Sequence, residues 1–245
     1  MGAGSAAGTP HGGSLASRWT PGPLDPAPAR GRLDVWRADL AAVDDGLLAP
    51  LTPNERERAG RMARAGDALL WSRSRGLLRT LLGRYLGADP RALVLAFGDR
   101  GKPRLAEAQP LRPTAPGLHF NLSHSGTLAL FAFAGFGEVG VDAQVLSARG
   151  TERRGDRVAL ARRVFGPEAA DRLGELEGAP REREFLRLWT RYEAELKRRG
   201  IGIAGGSVRA GRSPWIAELD LGPQALGAVA ASTVPGQLRL WSWSA

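Results

Sequence analysis

The stretch FLRLWTRYEAELKRRGIGI, residues Phe185–Ile203, has the spacing of an amphipathic helix around which the other motifs can be arranged. Its apolar side chains recur at three- and four-residue steps and share one face: Phe185, Leu188, Trp189, Tyr192 and Leu196. Glu193 and Lys197 are one turn apart on a neighbouring face, where their side chains can meet. Gly200 predicts the helix end, because glycine tolerates a left-handed C-cap. On this helix alone, a plain surface ion pair is the better explanation of Glu193 and Lys197.

Two polar stretches upstream of this helix shift the balance towards a functional site. In FNLSHSG, Phe120–Gly126, apolar and polar residues alternate as in a strand. Residues Ser123–Gly126 then predict a small polar turn that could hold an anion, although His124 could equally cap the strand end. In VGVDAQ, Val139–Gln144, a short strand is predicted to place Asp142 at its end.

The composition is that of a folded protein large enough for one large domain or two small ones. The chain has 245 residues, of which 43% are hydrophobic and 24% charged. No apolar run approaches the roughly 20 residues of a membrane span. The absence of cysteine excludes disulfides and thiolate metal sites and is compatible with a cytoplasmic location. With only three histidines, one of them in the glycine-rich N-terminus, a multi-histidine zinc site is not expected.

The net charge of +9 favours an anionic partner. Nucleic acid, phosphorylated small molecules and acidic protein surfaces all fit this charge. Grooves for single-stranded nucleic acid usually interleave basic residues with exposed aromatics. Here the aromatics fall mostly at core-like positions, so we do not expect nucleic-acid binding.

The remaining chain alternates predicted strands and helices behind an N-terminal tail. Residues 1–31 are rich in glycine, alanine, serine and proline and predict a disordered segment. Leu33–Leu40 alternates like a strand, and the continuous apolar run Leu128–Ala134 predicts a buried central one. Further helices and strands are predicted at Thr151–Phe165, Pro167–Leu176, Leu93–Phe97, Ser207–Val208, Trp215–Leu219, Ala225–Ser232 and Leu238–Trp243.

Two predicted helices in the first half are basic. Thr52 is a helix N-cap and Pro53 the first helical residue of a short charged segment. Its arginines at three-residue spacing could face solvent or hold a phosphate: Arg58, Arg61 and Arg64. Ala68–Leu86 is the next helix, and Arg73 and Arg75 stand off its apolar stripe.

Lys102 is the basic residue of a predicted glycine turn, GDRGKPRL, residues Gly98–Leu105. Because proline restricts the residue before it to an extended backbone, Pro103 holds Lys102 in a defined direction. An ordinary solvated turn lysine is the alternative.

Taken in order, these motifs resemble the Sfp-type 4′-phosphopantetheinyl transferases. The resemblance covers about Leu51 to Ile203 and rests on the ordered set, since each piece alone is weak. The matching segments are Pro53–Arg64, Arg73–Gly87, Gly101–Pro103, Phe120–Gly126, Val139–Asp142 and Trp189–Gly202.

The resemblance implies an α+β fold with two similar halves around a pseudo-twofold axis, and coenzyme A in the cleft between them. By that analogy residues 32–135 form the N-terminal half behind the tail 1–31, and residues 136–245 form the C-terminal half with the magnesium site. Members of the family move the phosphopantetheine arm of coenzyme A to a serine of an apo acyl or peptidyl carrier protein and release 3′,5′-ADP. A cytoplasmic monomer that binds neither membranes nor nucleic acid is expected.

The site residues are likewise implied by the resemblance. Asp142 and Glu193 match the carboxylates that hold Mg²⁺, with Gln144 as a third ligand, and Glu193 or a metal-held water would take the serine proton. Lys197 matches the lysine that stabilises the pyrophosphate and the leaving phosphate. The positions that match grips on the nucleotide phosphates are Lys102, Ser123 and His124. Further basic contacts to coenzyme A correspond, more loosely, to Arg58, Arg73 and Arg75.

The sequence departs from the family pattern at two positions. The family commonly has an acidic residue two positions after the first aspartate, where this chain has Gln144. An amide oxygen can coordinate a metal but brings no charge, so weaker magnesium binding is expected. Tyr192 replaces a frequent lysine and is interpreted as packing. Gln144 also keeps open the alternative of a non-catalytic homologue that binds coenzyme A or a carrier protein.

Overall fold

The computed structural model describes residues 18–106, 117–146, 156–202 and 215–244, and it is an α+β fold, as predicted. The helices are α1 Pro53–Gly60, α2 Ala65–Leu86, α3 Arg157–Val164, α4 Pro167–Gly174 and α5 Gly178–Arg199, with a 3-10 turn at Asp45–Leu48. The strands are β1 Thr20–Pro21, β2 Arg32–Asp39, β3 Leu95–Phe97, β4 Pro103–Leu105, β5 His119–Ser125, β6 Leu128–Ala134, β7 Val139–Val145, β8 Trp215–Leu219, β9 Ala225–Ala231 and β10 Gln237–Ser242. None of the helices in these ranges is long and apolar enough to cross a membrane.

The strands form two sheets and a hairpin. The larger sheet has the order β1-β10-β2-β6-β5, in which β10 is parallel to both of its neighbours and the other pairs are antiparallel. The smaller sheet has the antiparallel order β7-β9-β8, and β3 pairs with β4. The sheets are therefore mixed, while a pseudo-twofold relation between two halves stays a prediction.

The larger sheet is covered on one face by α2. The predicted apolar stripe of this helix is buried there, with Leu70 half-buried at its edge: Leu77, Leu78, Leu81, Leu82 and Tyr85. Tyr85 stacks on Phe133 of β6 with ring centroids 4.5 Å apart. At the start of α1, Thr52 and Glu55 form the capping box that complements the predicted N-cap. The N-terminal core is thus built from local patterns that the sequence shows directly.

The other face of the larger sheet packs against the smaller sheet, and α5 covers the far side of the smaller sheet. The helix approaches β7 at Gly140, where a Cβ atom would lie 2.1 Å from the Ala194 carbonyl oxygen and 2.2 Å from the Arg198 nitrogen. Only glycine leaves room for this approach. It brings the side chains of α5 within reach of Asp142, two residues further along β7.

Polar side chains of β5 join the edges of the two sheets by accepting hydrogen bonds from backbone N–H groups of β7. The pairs are Asn121 Oδ1 with Val141 N at 2.9 Å, Ser123 Oγ with Ala143 N at 3.4 Å, and Ser125 Oγ with Val145 N at 3.0 Å. Ser123 and Ser125 therefore belong to a strand, and the prediction of a polar turn over Ser123–Gly126 was wrong except at Gly126, which has a φ of 57°. The prediction that Asp142 ends its strand was also wrong, because β7 continues to Val145.

Asn121→Ala is expected to lower the free energy of unfolding by about 1–3 kcal/mol, because it leaves the buried Val141 N–H without an acceptor. Urea unfolding measures the change. Ser125→Ala is the matched control, since its bond to Val145 is solvent-exposed. Equal losses for both variants would contradict a special role for the buried bond.

Part of the predicted disordered tail is ordered. Residues 1–17 lie outside the described residues, but Thr20–Pro21 pairs with β10, and Trp19 Nε1 donates to the Asp220 carbonyl at 2.5 Å. The apolar Trp19 packs against the core between the sheets, which explains why this segment is held. Strand β10 belongs by sequence to the predicted C-terminal half, but it pairs with β2 in the sheet formed by the N-terminal half.

The helices of the C-terminal segment differ from prediction mainly at their ends. The helix predicted from Phe185 begins at Gly178 and ends at the predicted Gly200 C-cap, where φ is 68°. Of its predicted stripe, Leu188, Trp189 and Tyr192 are half-buried. The helix predicted over Thr151–Phe165 is observed as α3, Arg157–Val164, and the start of the predicted range lies outside the described residues. The strand predicted at Ser207–Val208 also lies outside the described residues.

Candidate functional site

A central cavity of about 500 Å³ lies where residues from both predicted halves meet. Its wall includes α2, the β3–β4 turn, β5 and the end of α5. The predicted site residues that line it are Arg75, Lys102, Ser123, His124, Glu193 and Lys197. Asp142, directly behind this wall, contacts Ser123 and Lys197. The structure thus brings most of the predicted residues together.

The innermost part of the site is a hydrogen-bonded cluster of Asp142, Ser123 and Lys197. Lys197 Nζ lies 2.6 Å from Asp142 Oδ1 and 2.9 Å from Ser123 Oγ, and the serine donates to the same carboxylate oxygen at 2.8 Å. Asp142 is buried, at 1% exposure. The interpretation of Glu193 and Lys197 as a surface ion pair was wrong, because Lys197 pairs with an aspartate from another element.

Glu193 faces this cluster from one turn earlier on α5. Among the described residues, no salt bridge includes its carboxylate. Burial raises the pKa of Glu193, the negative charge of Asp142 raises it further, and Lys197 opposes both effects. Two carboxylates that repel each other beside a cavity are a setting in which a cation binds favourably.

The oxygen donors at this place fit Mg²⁺. It prefers oxygen ligands and keeps several waters, so two carboxylates can suffice when a substrate supplies phosphate oxygens. Gln144 lies beside Asp142, with Nε2 3.4 Å from Oδ2, so its amide is within reach of the same place. No group of three or more histidine, cysteine, aspartate or glutamate side chains in the described residues could hold a metal alone.

His124 and Arg75 add positive charge or hydrogen-bond donors to the wall of the central cavity. Partial burial lowers the pKa of His124, and the charges of Lys197 and Arg75 lower it further, although part of the residue is exposed. Burial likewise lowers the pKa of Arg75. Its Nη1 is buried without a hydrogen-bond partner in the described part of the chain. An anion in the cavity could supply that partner.

A second cavity of about 490 Å³, the arginine cavity, shares Trp71 and Arg75 with the first. Its arginines are Arg58, Arg61, Arg75, Arg79 and Arg91, and among the described wall residues Glu55 alone is acidic. Arg58 and Arg75 lie 5.3 and 5.4 Å from the Trp71 ring centroid. Arg64 does not line this wall and is instead the residue before α2. Trp71 lies on the helix that was predicted as core packing, and sequence analysis did not single it out.

Arg73 lies outside both cavities. It forms an ion pair with Asp45 at 2.8 Å and donates to the Leu40 carbonyl oxygen at 2.9 Å. Lys102 lines the central cavity, but its ammonium group contacts the Glu138 carboxylate and the carbonyl oxygens of Val139 and Arg198, the latter two at 3.1 and 3.0 Å. Neither side chain is free in this structure for the phosphate contact that was predicted.

Comparison with known proteins shows which family the chain resembles. A family model described as the N-terminal part of 4′-phosphopantetheinyl transferase matches residues 36–135. HetI of Nostoc sp., a 4′-phosphopantetheinyl transferase, is 35% identical over 193 residues, which cover 78% of each chain. AcpT of Escherichia coli, named as the same enzyme, is 33% identical over 68% of this chain and 74% of its own.

A relative from Synechocystis sp., provisionally named as a 4′-phosphopantetheinyl transferase, is 36% identical over 161 residues. The match covers 66% of this chain and 61% of that relative's length. Identity at this level over most of the Nostoc and Escherichia coli proteins is far above what a shared fold alone requires. The chain therefore belongs to the 4′-phosphopantetheinyl transferase family.

Proposed function

We propose that the protein transfers the 4′-phosphopantetheine group of coenzyme A to a serine hydroxyl of an apo acyl or peptidyl carrier protein. The observation that carries the proposal is the meeting of Asp142, Glu193 and Lys197 at one wall of a cavity that adjoins the arginine cavity. The names of the relatives support the same reaction. We further propose that the protein acts as a monomer in the cytoplasm.

The magnesium ion would be held by Asp142 and Glu193, with the Gln144 amide as a weaker third ligand. When bound, it neutralises charge on the pyrophosphate of coenzyme A. The ion would also offset the repulsion between the carboxylates of Asp142 and Glu193. Ser123 and Lys197 already hold one oxygen of Asp142, which orients this carboxylate before any ligand arrives.

The chain's own residues can carry out the proton and charge transfers of the reaction. As the serine oxygen bonds to the β-phosphorus, its proton passes to Glu193, which faces the cavity one turn before Lys197. The bond between that phosphorus and the bridging oxygen breaks, and 3′,5′-ADP leaves with the electron pair. Lys197 lines the same cavity, and its ammonium group would stabilise the negative charge on the departing phosphate.

Cationic groups along the two cavities suit the nucleotide end of coenzyme A. Ser123 of the cluster and the adjacent His124 line the central cavity, and Arg75 offers a buried Nη1 donor that has no hydrogen-bond partner among the described residues. Arg58 adds charge in the arginine cavity. Arg73 has no part in this proposed nucleotide site, because it lines neither cavity.

Mass spectrometry of an apo carrier protein incubated with the protein, coenzyme A and Mg²⁺ tests the proposal. We expect a mass gain of one phosphopantetheine with wild type and none with Glu193→Ala. Carrier proteins from fatty acid, polyketide and nonribosomal peptide synthesis should all be tried. No gain on any of them, with coenzyme A still bound, would favour a non-catalytic binding homologue, the alternative that Gln144 supports.

Gln144→Glu is expected to lower the Mg²⁺ concentration for half-maximal rate about tenfold, since it adds a charged ligand beside Asp142. Titration of the transfer rate with Mg²⁺ measures this, with wild type and variant at the same coenzyme A concentration. Gln224→Glu, at a position outside the cavity wall, is the matched control. An unchanged half-saturating concentration would show that residue 144 does not act on the metal.

A further inference from the structure

Lys102 lies on the β3–β4 turn but is bonded to other elements. Its ammonium group has three donors, and three oxygens accept from it: a Glu138 carboxylate oxygen and the carbonyls of Val139 and Arg198. The side chain is 17% exposed. A phosphate contact would therefore require Lys102 to give up bonds that already satisfy it.

The bond to Arg198 places a cation at the carboxyl end of α5. The last carbonyls of a helix have no partner within the helix and carry the negative end of its dipole, so a lysine there is stabilising. Gly200, the C-cap, is close enough that a Cβ on it would lie 3.8 Å from Lys102 Cδ. Lys197 and Glu193 lie on the same helix, about one and two turns before Gly200, so a fixed helix end fixes them as well.

Glu138 connects the same lysine to the strands that carry the site. It immediately precedes β7, and its other oxygen contacts His119 Nδ1 of β5 at 3.0 Å. These hydrogen bonds and charges lower the pKa of Glu138 to about 2, so its carboxylate is ionised at neutral pH. Glu138 and His119 line a third cavity of about 300 Å³ and do not line the central one.

We propose that Lys102 is a positioning residue, which together with Glu138 ties the β3–β4 turn to α5, β7 and β5. The turn contributes Arg100 and Gly101 to the central cavity, and the other three elements contribute Ser123, Asp142, Glu193 and Lys197 to the site. The tie therefore sets the position of one cavity wall relative to the catalytic groups. The inference rests on the proposed transfer reaction.

The test compares Lys102→Met, Glu138→Gln and the double variant by three readouts: kcat, KM for coenzyme A, and calorimetric Kd for coenzyme A. If the tie positions the wall, each single variant lowers kcat/KM about tenfold, and the double variant is no worse than Lys102→Met. Lys102→Arg keeps the charge and several donors and should recover much of the loss. Arg104→Met, which removes an exposed cation from the same hairpin, should match wild type.

A direct phosphate contact predicts a different pattern. Lys102→Met would then weaken coenzyme A binding, while Glu138→Gln would leave it unchanged or strengthen it by freeing the lysine; that result overturns the proposal. Assays well below the melting temperature of each variant separate positioning from loss of fold, and equal kcat/KM with a lower melting temperature would also overturn it. Absence of transfer by the wild-type protein would instead reject the proposed function. The Kd measurements can still be made in that case, because binding of coenzyme A does not depend on transfer.

Discussion

Glu193→Gln will lower kcat for phosphopantetheine transfer about 10³-fold, the size of effect that a positioned general base contributes. Glutamine has the same shape but can neither take the serine proton nor bring charge to the metal. The side chain lines the central cavity, and burial and the charge of Asp142 raise its pKa; in the proposed mechanism it is the group that takes the serine proton. Single-turnover rates at saturating coenzyme A and Mg²⁺ measure the effect.

A glutamate on the same helix provides the control for this variant. Glu184 pairs with Arg187 and does not line the central cavity, so Glu184→Gln should keep the wild-type rate. A fall of less than tenfold in Glu193→Gln would assign proton removal to another group. The raised pKa has a second consequence: protons compete with Mg²⁺ for Glu193, so the half-saturating Mg²⁺ concentration should begin to rise, as pH falls, at a higher pH than for an ordinary glutamate.

The features that sequence analysis predicted correctly are those with a local cause. The N-cap at Thr52, the left-handed Gly200 and the buried stripe of α2 each depend on residues within a few positions of each other. The period-two pattern of β5 also predicted its strand. Ser123 and Ser125 were assigned to a turn because their partners, the N–H groups of β7, lie twenty positions later in the chain.

The arginines of α2 show how helix geometry could have refined the site prediction. Residues two positions apart do not share a helix face, so Arg73 and Arg75 could not both point into one cavity. The structure directs Arg75 to the cavities and Arg73 to Asp45, 28 residues earlier. The pairing of Lys197 with Asp142, 55 positions apart, had no local signal. Only the family resemblance brought these two residues to the same site.

The parallel pairing of β10 with β2 was also beyond local patterns. It joins segments about two hundred residues apart, and the last strand was expected in the C-terminal half. A buried network accompanies this pairing: Asp34 of β2 accepts hydrogen bonds from Tyr85 at 2.8 Å and from Trp241 at 3.2 Å. The aspartate thus holds together α2, β2 and β10, and no single stretch of sequence indicates this role.

The largest stability effect is expected at the ion pair between Glu55 of α1 and Arg79 of α2. The two charges are 2.7 Å apart, with side-chain exposures of 10% and 3%. Arg79 also donates to the carbonyls of Pro90 and Leu93, so it cannot turn outwards without losing further bonds. Glu55→Ala leaves this guanidinium buried without its counter-charge and also removes the carboxylate of the capping box. We expect a loss of about 3–5 kcal/mol in the free energy of unfolding.

Two further variants separate the effect of an unpaired buried charge from simple loss of packing. Replacing both partners, Glu55→Leu with Arg79→Met, removes both charges together and should be less destabilising than Glu55→Ala, because no unpaired charge remains buried. Glu57→Ala, at an exposed pair with Arg61 on the same helix, should change the unfolding free energy by less than about 1 kcal/mol. Denaturant unfolding of the three variants measures the differences. If the double replacement is as unstable as Glu55→Ala, the side-chain packing and the helix cap, and not the buried charge, hold α1 and the arginine cavity in place.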